Sequence, residues 1–167
     1  MARNIEIKAR LDNAEDFLSR VGELADSGPF EMEQDDTFFR CENGRLKLRV
    51  LSEAHAELIY YRRGDQAGPK ESYYHITPTM DPEGLRESLD MAYGIVGRVV
   101  KHRTLFMIGR TRVHIDRVEG LGSFMELEVV LNDDERSGDG MREATTLMHS
   151  LGIAEDSLID CAYVDML

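Results

Sequence analysis

The sequence predicts an α+β domain in which an antiparallel β-sheet closes into a barrel with helices packed outside it. Strands outnumber helices and are mostly joined by hairpins, nearly every strand has one apolar and one charged face, and three helices are amphipathic. The helices need an apolar surface to cover, which a closed sheet provides on its outside. We expect the charged faces to meet inside the barrel and the whole chain, residues 1–167, to form a single domain.

The chain is acidic overall, since 20 Lys and Arg against 32 Asp and Glu give a net charge of −12. Such a surface repels nucleic acid and anionic membranes, so we expect neither as a partner. The N-terminus lacks the apolar run of a signal peptide, and no stretch is long and apolar enough to span a membrane. Cys41 and Cys161 show no metal-type spacing. We therefore expect a cytoplasmic protein with reduced thiols.

The first strand and the first helix follow from side-chain periodicity. Residues 3–11 alternate between an apolar side and a polar side that carries Glu6 and Lys8. Asn13 is a candidate N-cap, after which apolar residues recur at helical spacing until the helix ends near Gly28. We expect this helix to pack on the sheet and to carry no chemistry.

A hairpin with one strongly basic strand is predicted over residues 31–50. An Asn-Gly pair at 43–44 indicates its two-residue turn. After the turn, Arg45, Lys47 and Arg49 share one strand face at about 7 Å spacing, so they repel one another. Bulk water, facing carboxylates or a bound polyanion must offset that repulsion.

Two further strands are predicted over residues 56–63 and 70–76, with a loop at 64–69 between them. Arg62 lies on the same face of the first of these strands as Tyr60. Lys70 lies on the same face of the second strand as Ser72 and Tyr74. Arg62 and Lys70 are the basic candidates from this region.

The second helix begins at Asp81, which is its N-cap with Pro at the next position, and Gly94 ends it. A strand over residues 96–108 follows and carries Lys101 and Arg103 on one side. These two residues add to the set of cations on strand faces.

A hairpin with charges of both signs is predicted over residues 110–131, with a Gly-rich turn at 119–122. Carboxylates two residues apart on a strand, opposed by arginines, suit a divalent cation beside a polyanion. A solvated outer face with cross-strand ion pairs fits the same pattern. The charged face of this hairpin comprises Arg110, Arg112, His114, Asp116, Glu126 and Glu128.

An acidic loop over residues 132–140 and an amphipathic helix over 141–152 follow the hairpin. A short helix or turn is predicted at 158–167. Three histidines, at positions 75, 102 and 114, are isolated in the sequence, and we expect each to be structural rather than catalytic.

Taken together, the charged faces predict a lumen that binds a chain of phosphates. Arg and Lys bind phosphate oxygens, and carboxylates hold Mg²⁺ or Mn²⁺, which bridges those oxygens. The alternatives are an exposed edge kept soluble by its charge and a barrel for a small apolar ligand, which would need an apolar lumen. The converging basic residues are Lys8, Arg45, Lys47, Arg49, Arg62, Lys70, Lys101, Arg103, Arg110 and Arg112, and the carboxylates are Glu6, Asp116, Glu126 and Glu128.

These residues resemble a known family, the CYTH superfamily of triphosphate tunnel enzymes, which includes class IV adenylyl cyclases, thiamine triphosphatase and tripolyphosphatases. The family motif Glu-x-Glu-x-Lys in the first strand is matched here at Glu6 and Lys8, while Asn4 replaces the first Glu. The segments QDDTFF, GRLKLR, VVKHR, DRVEGLGSFMELEV and CAYVDML resemble the class IV branch.

The resemblance implies an eight-stranded antiparallel barrel that forms a tunnel, with Mg²⁺ or Mn²⁺ as cofactor. It implies metal ligands at Glu6, Glu126 and Glu128, and it implies that Asp116 either helps to hold the metal or positions an arginine. Catalytic roles fall to Lys8, Glu126 and Glu128. The implied contacts to triphosphate come from Lys8, Lys47, Arg49, Arg62, Lys101 and Arg103, with Arg45, Arg112, Lys70, Ser72 and Tyr74 as further candidates.

The predicted function is that of a metal-dependent enzyme acting on ATP, thiamine triphosphate or tripolyphosphate, as a monomer or homodimer. Attack of the ribose 3′-oxygen on the α-phosphate would give cyclic AMP and pyrophosphate, whereas attack of water on the terminal phosphate would be a triphosphatase reaction. Both reactions use the same lumen, so both stay open here. The alternative is a non-catalytic phosphate-binding module that has lost its metal site through Asn4.

Overall fold

A computed structural model describes residues 2–167 and contains a closed antiparallel barrel of eight strands. Around the barrel the order is β1-β5-β4-β3-β2-β6-β7-β8, and β1 closes the sheet by pairing with both β5 and β8. The predicted fold class is confirmed. The strands are β1 (Ala2–Arg10), β2 (Ser27–Phe39), β3 (Arg45–Ser52), β4 (His55–Arg63), β5 (Lys70–Thr79), β6 (Ile95–Ile108), β7 (Thr111–Val118) and β8 (Gly122–Val130).

Three α-helices lie outside the barrel: α1 (Ala14–Leu24), α2 (Pro82–Tyr93) and α3 (Ser137–Ser150). The predicted caps are confirmed, since the side chain of Asn13 accepts from the backbone N–H of Asp16, and that of Asp81 accepts from Gly84. Two short 3₁₀ helices follow α3, at Glu155–Ser157 and Tyr163–Met166. Within residues 2–167, no helix has the length and apolar character needed to cross a membrane.

Several predicted boundaries were wrong. The first helix ends at Leu24 rather than near Gly28, and β2 already begins at Ser27. The third helix begins at Ser137 rather than at 141, because its polar first turn does not show the apolar period on which the prediction rested. Gly140 in that turn brings α3 close to the barrel, since a Cβ there would lie 2.7 Å from the side chain of Ile5. The first hairpin has a five-residue connection, 40–44, rather than a two-residue turn.

The apolar core lies between the barrel and the helices. The outward side chains of β1, β7 and β8, such as Ile5, Val113 and Leu127, are fully buried against Phe17 of α1 and Met148 of α3. A smaller cluster joins α2 to β3. Because the outward face of these strands is occupied by the core, their charged face must point into the barrel.

Candidate active site

The barrel encloses a cavity of about 410 Å³. Seven basic side chains and five carboxylates line the cavity, so its wall is net positive although the chain as a whole carries −12. The small-apolar-ligand alternative requires an apolar lumen, whereas twelve charged side chains line this one. The basic residues are Lys8, Lys47, Arg49, Arg63, Lys101, Arg103 and Arg112, and the acidic residues are Glu6, Asp36, Glu57, Glu126 and Glu128.

One part of the cavity, which we call the cation wall, is formed by Lys47 and Arg49 of β3 and Lys101 of β6 around Asp36 of β2. Arg49 donates two hydrogen bonds of 2.8 Å to the Asp36 carboxylate, and Lys47 Nζ lies 3.0 Å from it. Lys101 Nζ is 3.8 Å from the same carboxylate. Three cations therefore share one carboxylate, which leaves the wall with excess positive charge.

Burial and the repulsion between like charges shift the pKa values of the ionisable groups in this wall. Burial and the neighbouring Arg103 lower the pKa of Lys101 to about 7, and burial and Arg49 lower the pKa of Lys47 to about 8. Burial raises the pKa of Asp36, but Arg49, Lys47 and Lys101 outweigh burial and hold that pKa well below its usual value. Both lysines can therefore gain or lose a proton close to neutral pH.

Another part of the cavity, the carboxylate wall, is formed by Glu126 and Glu128 of β8, Glu6 of β1 and His114 of β7. Cross-strand pairing places Glu6 beside Glu128 and His114 beside Glu126, which brings side chains from three strands together. The Glu6 carboxylate lies 3.1 Å from Arg63 Nη1.

Basic residues from the neighbouring strands hold the two glutamates of β8. Lys8 Nζ and Arg103 Nη2 each lie 3.4 Å from the Glu126 carboxylate, and Arg112 Nε donates to Glu128 at 2.8 Å. Burial raises the pKa of Glu126, but Lys8 and Arg103 outweigh it and hold the pKa well below its usual value. Lys8 and Arg103 therefore keep Glu126 ionised, as a ligand of a cation must be.

Glu6 differs from the other two glutamates. Burial and the repulsion of Glu128 raise its pKa, although Arg63 opposes this change. A cation that neutralised Glu128 would remove part of that repulsion.

His114 is the fourth member of the carboxylate wall. Its side chain is buried, and its Nδ1 has no hydrogen-bond partner among residues 2–167. One ligand atom from each of His114, Glu126 and Glu128 can be chosen so that all three lie within 4.8 Å of one another. Burial and the charge of Arg103 lower the pKa of His114 to about 4, so the imidazole is neutral at physiological pH and its nitrogen is free to act as a ligand.

Most of the predicted site residues meet in this cavity, and five do not. Arg62 is exposed on the outer face of β4, because the side chains of that strand that face the cavity are the odd-numbered ones, including Tyr61 and Arg63. Arg45 pairs with Asp165 at 2.6 Å outside the cavity lining. The predicted residues found in the cavity lining are Glu6, Lys8, Lys47, Arg49, Lys101, Arg103, Arg112, Glu126 and Glu128.

Asp116 and Lys70 are buried beside the cavity rather than in its lining. The Asp116 carboxylate accepts two hydrogen bonds of 2.7 Å from Arg103 and one of 2.9 Å from the Tyr163 hydroxyl, so its oxygens are already engaged. Asp116 therefore positions Arg103 and lies outside the group of possible metal ligands. Lys70 Nζ donates to the backbone oxygen of Gln66 at 2.9 Å. Arg110, also expected to converge, instead pairs with Glu135 and Glu143.

Three functional residues were missed from the sequence as members of the site. Asp36 lies in the QDDTFF segment, and its alternation with Gln34 and Phe38 could have placed it on the charged face. Arg63 lines the cavity, whereas the prediction named its neighbour Arg62 as the converging arginine of this strand. His114 was correctly placed on the charged face of its strand but expected to be structural, and only the pairing of β7 with β8 brings it to the carboxylates.

The lining of β4 and β5 differs from both walls, since apolar and aromatic side chains lie there among two charged residues, Glu57 and Arg63. The apolar and aromatic side chains are Ile59 and Tyr61 of β4 and Tyr74 and Ile76 of β5. This sector could contact an uncharged group of a ligand whose phosphates lie between the walls.

A family model for the CYTH domain matches residues 2–163, so this chain belongs to the CYTH domain family. Adenylate cyclase CyaB of Aeromonas hydrophila is 24% identical over 167 residues, which cover 95% of this chain and 85% of that protein. The solved structure of the PH1012 protein of Pyrococcus horikoshii OT3 matches 98% of this chain and 99% of its own, with a TM-score of 0.86 and 24% identity. HpAC1 of Hippeastrum, described as a candidate adenylyl cyclase with a dominant triphosphatase activity, matches 99% of this chain and 93% of its own, with a TM-score of 0.63 and 16% identity.

Proposed function

We propose that this protein is a divalent-metal-dependent enzyme that hydrolyses triphosphates bound inside the barrel. The observation that carries the proposal is the presence of the cation wall and the carboxylate wall in one cavity of about 410 Å³. Cations alone would suit any anion, and carboxylates alone any cation. Both sets in one enclosed space suit a polyphosphate that brings a metal ion with it.

The cation wall binds and orients the phosphate chain. Lys47, Arg49 and Lys101 all lie within 4 Å of the Asp36 carboxylate, so three cations share one close counter-charge and phosphate oxygens supply further negative charge. Arg103, held by Asp116, lies between the walls and 3.4 Å from Glu126. In the reaction these cations stabilise the negative charge that moves onto the leaving phosphate.

The carboxylate wall fits a divalent cation, because His114, Glu126 and Glu128 offer ligand atoms within 4.8 Å of one another and the His114 nitrogen has no other partner among the described residues. Glu6 lies next to Glu128 and adds negative charge to the same wall. A divalent ion bound there would polarise a phosphorus–oxygen bond and neutralise phosphate charge. Lys8 holds the Glu126 carboxylate in place from 3.4 Å.

One similar protein supports hydrolysis as the reaction, and another supports cyclisation. HpAC1, which shares this fold, is described with a dominant triphosphatase activity, and hydrolysis requires only the phosphate chain and water. The relative from Aeromonas hydrophila is named as an adenylate cyclase. The apolar sector of β4 and β5 favours a second candidate, cyclisation of ATP, because it gives the nucleoside a surface to pack against.

The experiment that tests this proposal is a product screen. The protein is incubated with ATP, thiamine triphosphate or tripolyphosphate, each with Mg²⁺ or Mn²⁺, and phosphate, pyrophosphate and cyclic AMP are measured. Phosphate release supports the hydrolase, and cyclic AMP with pyrophosphate supports the cyclase. Tight binding of a triphosphate with no product from any pair would instead support a non-catalytic binding module.

The proposal includes a cytoplasmic location and a monomer or homodimer, both of which stay predictions. Cys41 and Cys161 have free thiols, as expected in a reducing compartment. Fractionation of the host cell and light scattering of the purified protein would test the two predictions.

A further inference from the structure

The proposed function leaves open which divalent ion the site selects, and the nitrogen atom of His114 near the carboxylates bears on that choice. Its Nδ1 lies 3.7 Å from Glu128 Oε1 and 4.0 Å from Glu126 Oε2. These separations exceed a hydrogen bond, for which donor and acceptor lie about 2.7–3.2 Å apart. His114 is only 5% exposed, so its nitrogen is shielded from the bulk water that would hydrogen-bond to it at the surface.

The same separations fit two ligands of one cation. Metal–ligand distances of about 2.1 Å place two neighbouring ligands of an octahedral ion about 3 Å apart and two opposite ligands about 4.2 Å apart. The two nitrogen–oxygen distances lie between these values, so small side-chain movements would bring His114, Glu126 and Glu128 onto one cation. A histidine that served only to hydrogen-bond a glutamate would lie closer to it.

The ligand set differs from one made only of oxygen atoms. Mg²⁺ prefers oxygen ligands and near-ideal octahedral geometry, whereas imidazole nitrogen suits transition ions. Arg63 engages one oxygen of the Glu6 carboxylate, and Asn4 supplies an uncharged amide at the next position of β1 that faces the cavity. The imidazole of His114 beside these oxygens makes the ligand set softer than one built from oxygen atoms alone, which favours Mn²⁺ over Mg²⁺.

We propose that His114 is a direct metal ligand, together with Glu126 and Glu128, and that its imidazole makes this site select Mn²⁺ over Mg²⁺. This inference rests on the metal-dependent function proposed above. In this inference His114 determines which ion the site binds. No hydrogen bond among the described residues gives its Nδ1 another role.

The direct test is pulsed electron paramagnetic resonance of Mn²⁺ bound to the purified protein, with and without tripolyphosphate. A bound imidazole gives a nitrogen modulation of the Mn²⁺ signal. Labelling only the histidines with ¹⁵N should change the modulation in the wild-type protein. This measurement needs no variant and no turnover, so it remains decisive even if a substitution at position 114 prevents folding.

Affinities for Mn²⁺ and Mg²⁺, measured by calorimetry, sharpen the test. In His114→Gln we expect the nitrogen modulation to disappear and the preference for Mn²⁺ over Mg²⁺ to fall about tenfold, the scale on which changes around a metal site act. The matched control is His149→Gln on the exposed face of α3, which should leave both readouts unchanged.

The outcomes separate this inference from the proposed function. Bound Mn²⁺ without a histidine-derived modulation, or an unchanged preference in a folded His114→Gln, would overturn the role of His114 and leave the metal-dependent enzyme standing. Failure of the protein to bind either ion, with or without tripolyphosphate, would overturn both.

Discussion

The two walls of the cavity differ in how their positive and negative side chains are arranged. In the cation wall, Lys47, Arg49 and Lys101 surround one carboxylate, Asp36, whereas in the carboxylate wall Glu126 and Glu128 are each held by flanking cations. The first arrangement leaves excess positive charge, and the second leaves carboxylate oxygens and a nitrogen directed at one point. The difference indicates that the cation wall is built to receive an anion and the carboxylate wall to receive a cation.

The largest expected effect separates catalysis from binding. Glu126→Gln removes a charged ligand from the carboxylate wall, so we expect turnover of the best triphosphate substrate to fall about 10³-fold. Binding of the same triphosphate in EDTA should not weaken, because the change removes a negative charge from the cavity. Product release and calorimetry measure the two quantities. Glu15→Gln on the exposed face of α1 is the control, and equal losses of binding and turnover in Glu126→Gln would show that the walls are not distinct.

The next effect concerns stability of the cation wall. Asp36→Asn removes the buried carboxylate shared by Lys101, which is buried, and by Lys47 and Arg49, which are half-buried. Breaking a buried charge pair is expected to destabilise the protein by about 3–5 kcal/mol. Tripolyphosphate should restore more stability to this variant than to the wild type, since it replaces the missing negative charge. Thermal unfolding with and without tripolyphosphate measures both effects.

Asp35 provides the matched control for that experiment. It pairs at the surface with Arg98, whose side chain is 64% exposed, so Asp35→Asn should change the free energy of unfolding by at most about 1 kcal/mol. If Asp35→Asn and Asp36→Asn lowered the free energy of unfolding equally, Asp36 would stabilise the protein no more than a surface carboxylate does.

A smaller effect follows from the proton equilibria of the cation wall. The pKa values of Lys101, about 7, and Lys47, about 8, lie below the ordinary lysine value, so both lose their charge as pH rises. ATP keeps its full charge above about pH 7.5. Its affinity in EDTA should therefore fall about tenfold or more between pH 7.5 and 9.5.

Lys101→Arg tests the origin of that pH dependence. Arginine stays protonated throughout this range, so the affinity of the variant should decline less with pH than that of the wild type. An identical slope in calorimetric titrations of the two proteins would exclude Lys101 as the group that titrates.

The smallest effect compares adjacent arginines on β4. Arg63 lies in the cavity beside Glu6, whereas Arg62 is exposed outside. We expect Arg63→Gln to weaken binding of tripolyphosphate about tenfold and Arg62→Gln to change it less than about twofold. The reverse order in a binding assay would mean that the strand faces are assigned incorrectly.

The sequence by itself determined the fold class and most of the site. Alternation with a period of two marked one face of β1, β3, β6, β7 and β8 as charged, and in a closed sheet only one face can line the lumen. The amphipathic helices indicated that the apolar face lies outside. For these reasons Glu6, Lys8, Lys47, Arg103 and Glu126 were predicted together.

Only the tertiary structure decided which charges are neighbours. In β4 the pairs Tyr60-Tyr61 and Arg62-Arg63 put the same residue type on both faces, so alternation alone could not choose the inward arginine. Asp36 joins the cation wall through the pairing of β2 with β3, and His114 joins Glu126 through the pairing of β7 with β8. Periodicity assigns a side chain to a face, whereas its neighbours are set by strand register and barrel closure, which depend on contacts between residues far apart in the chain.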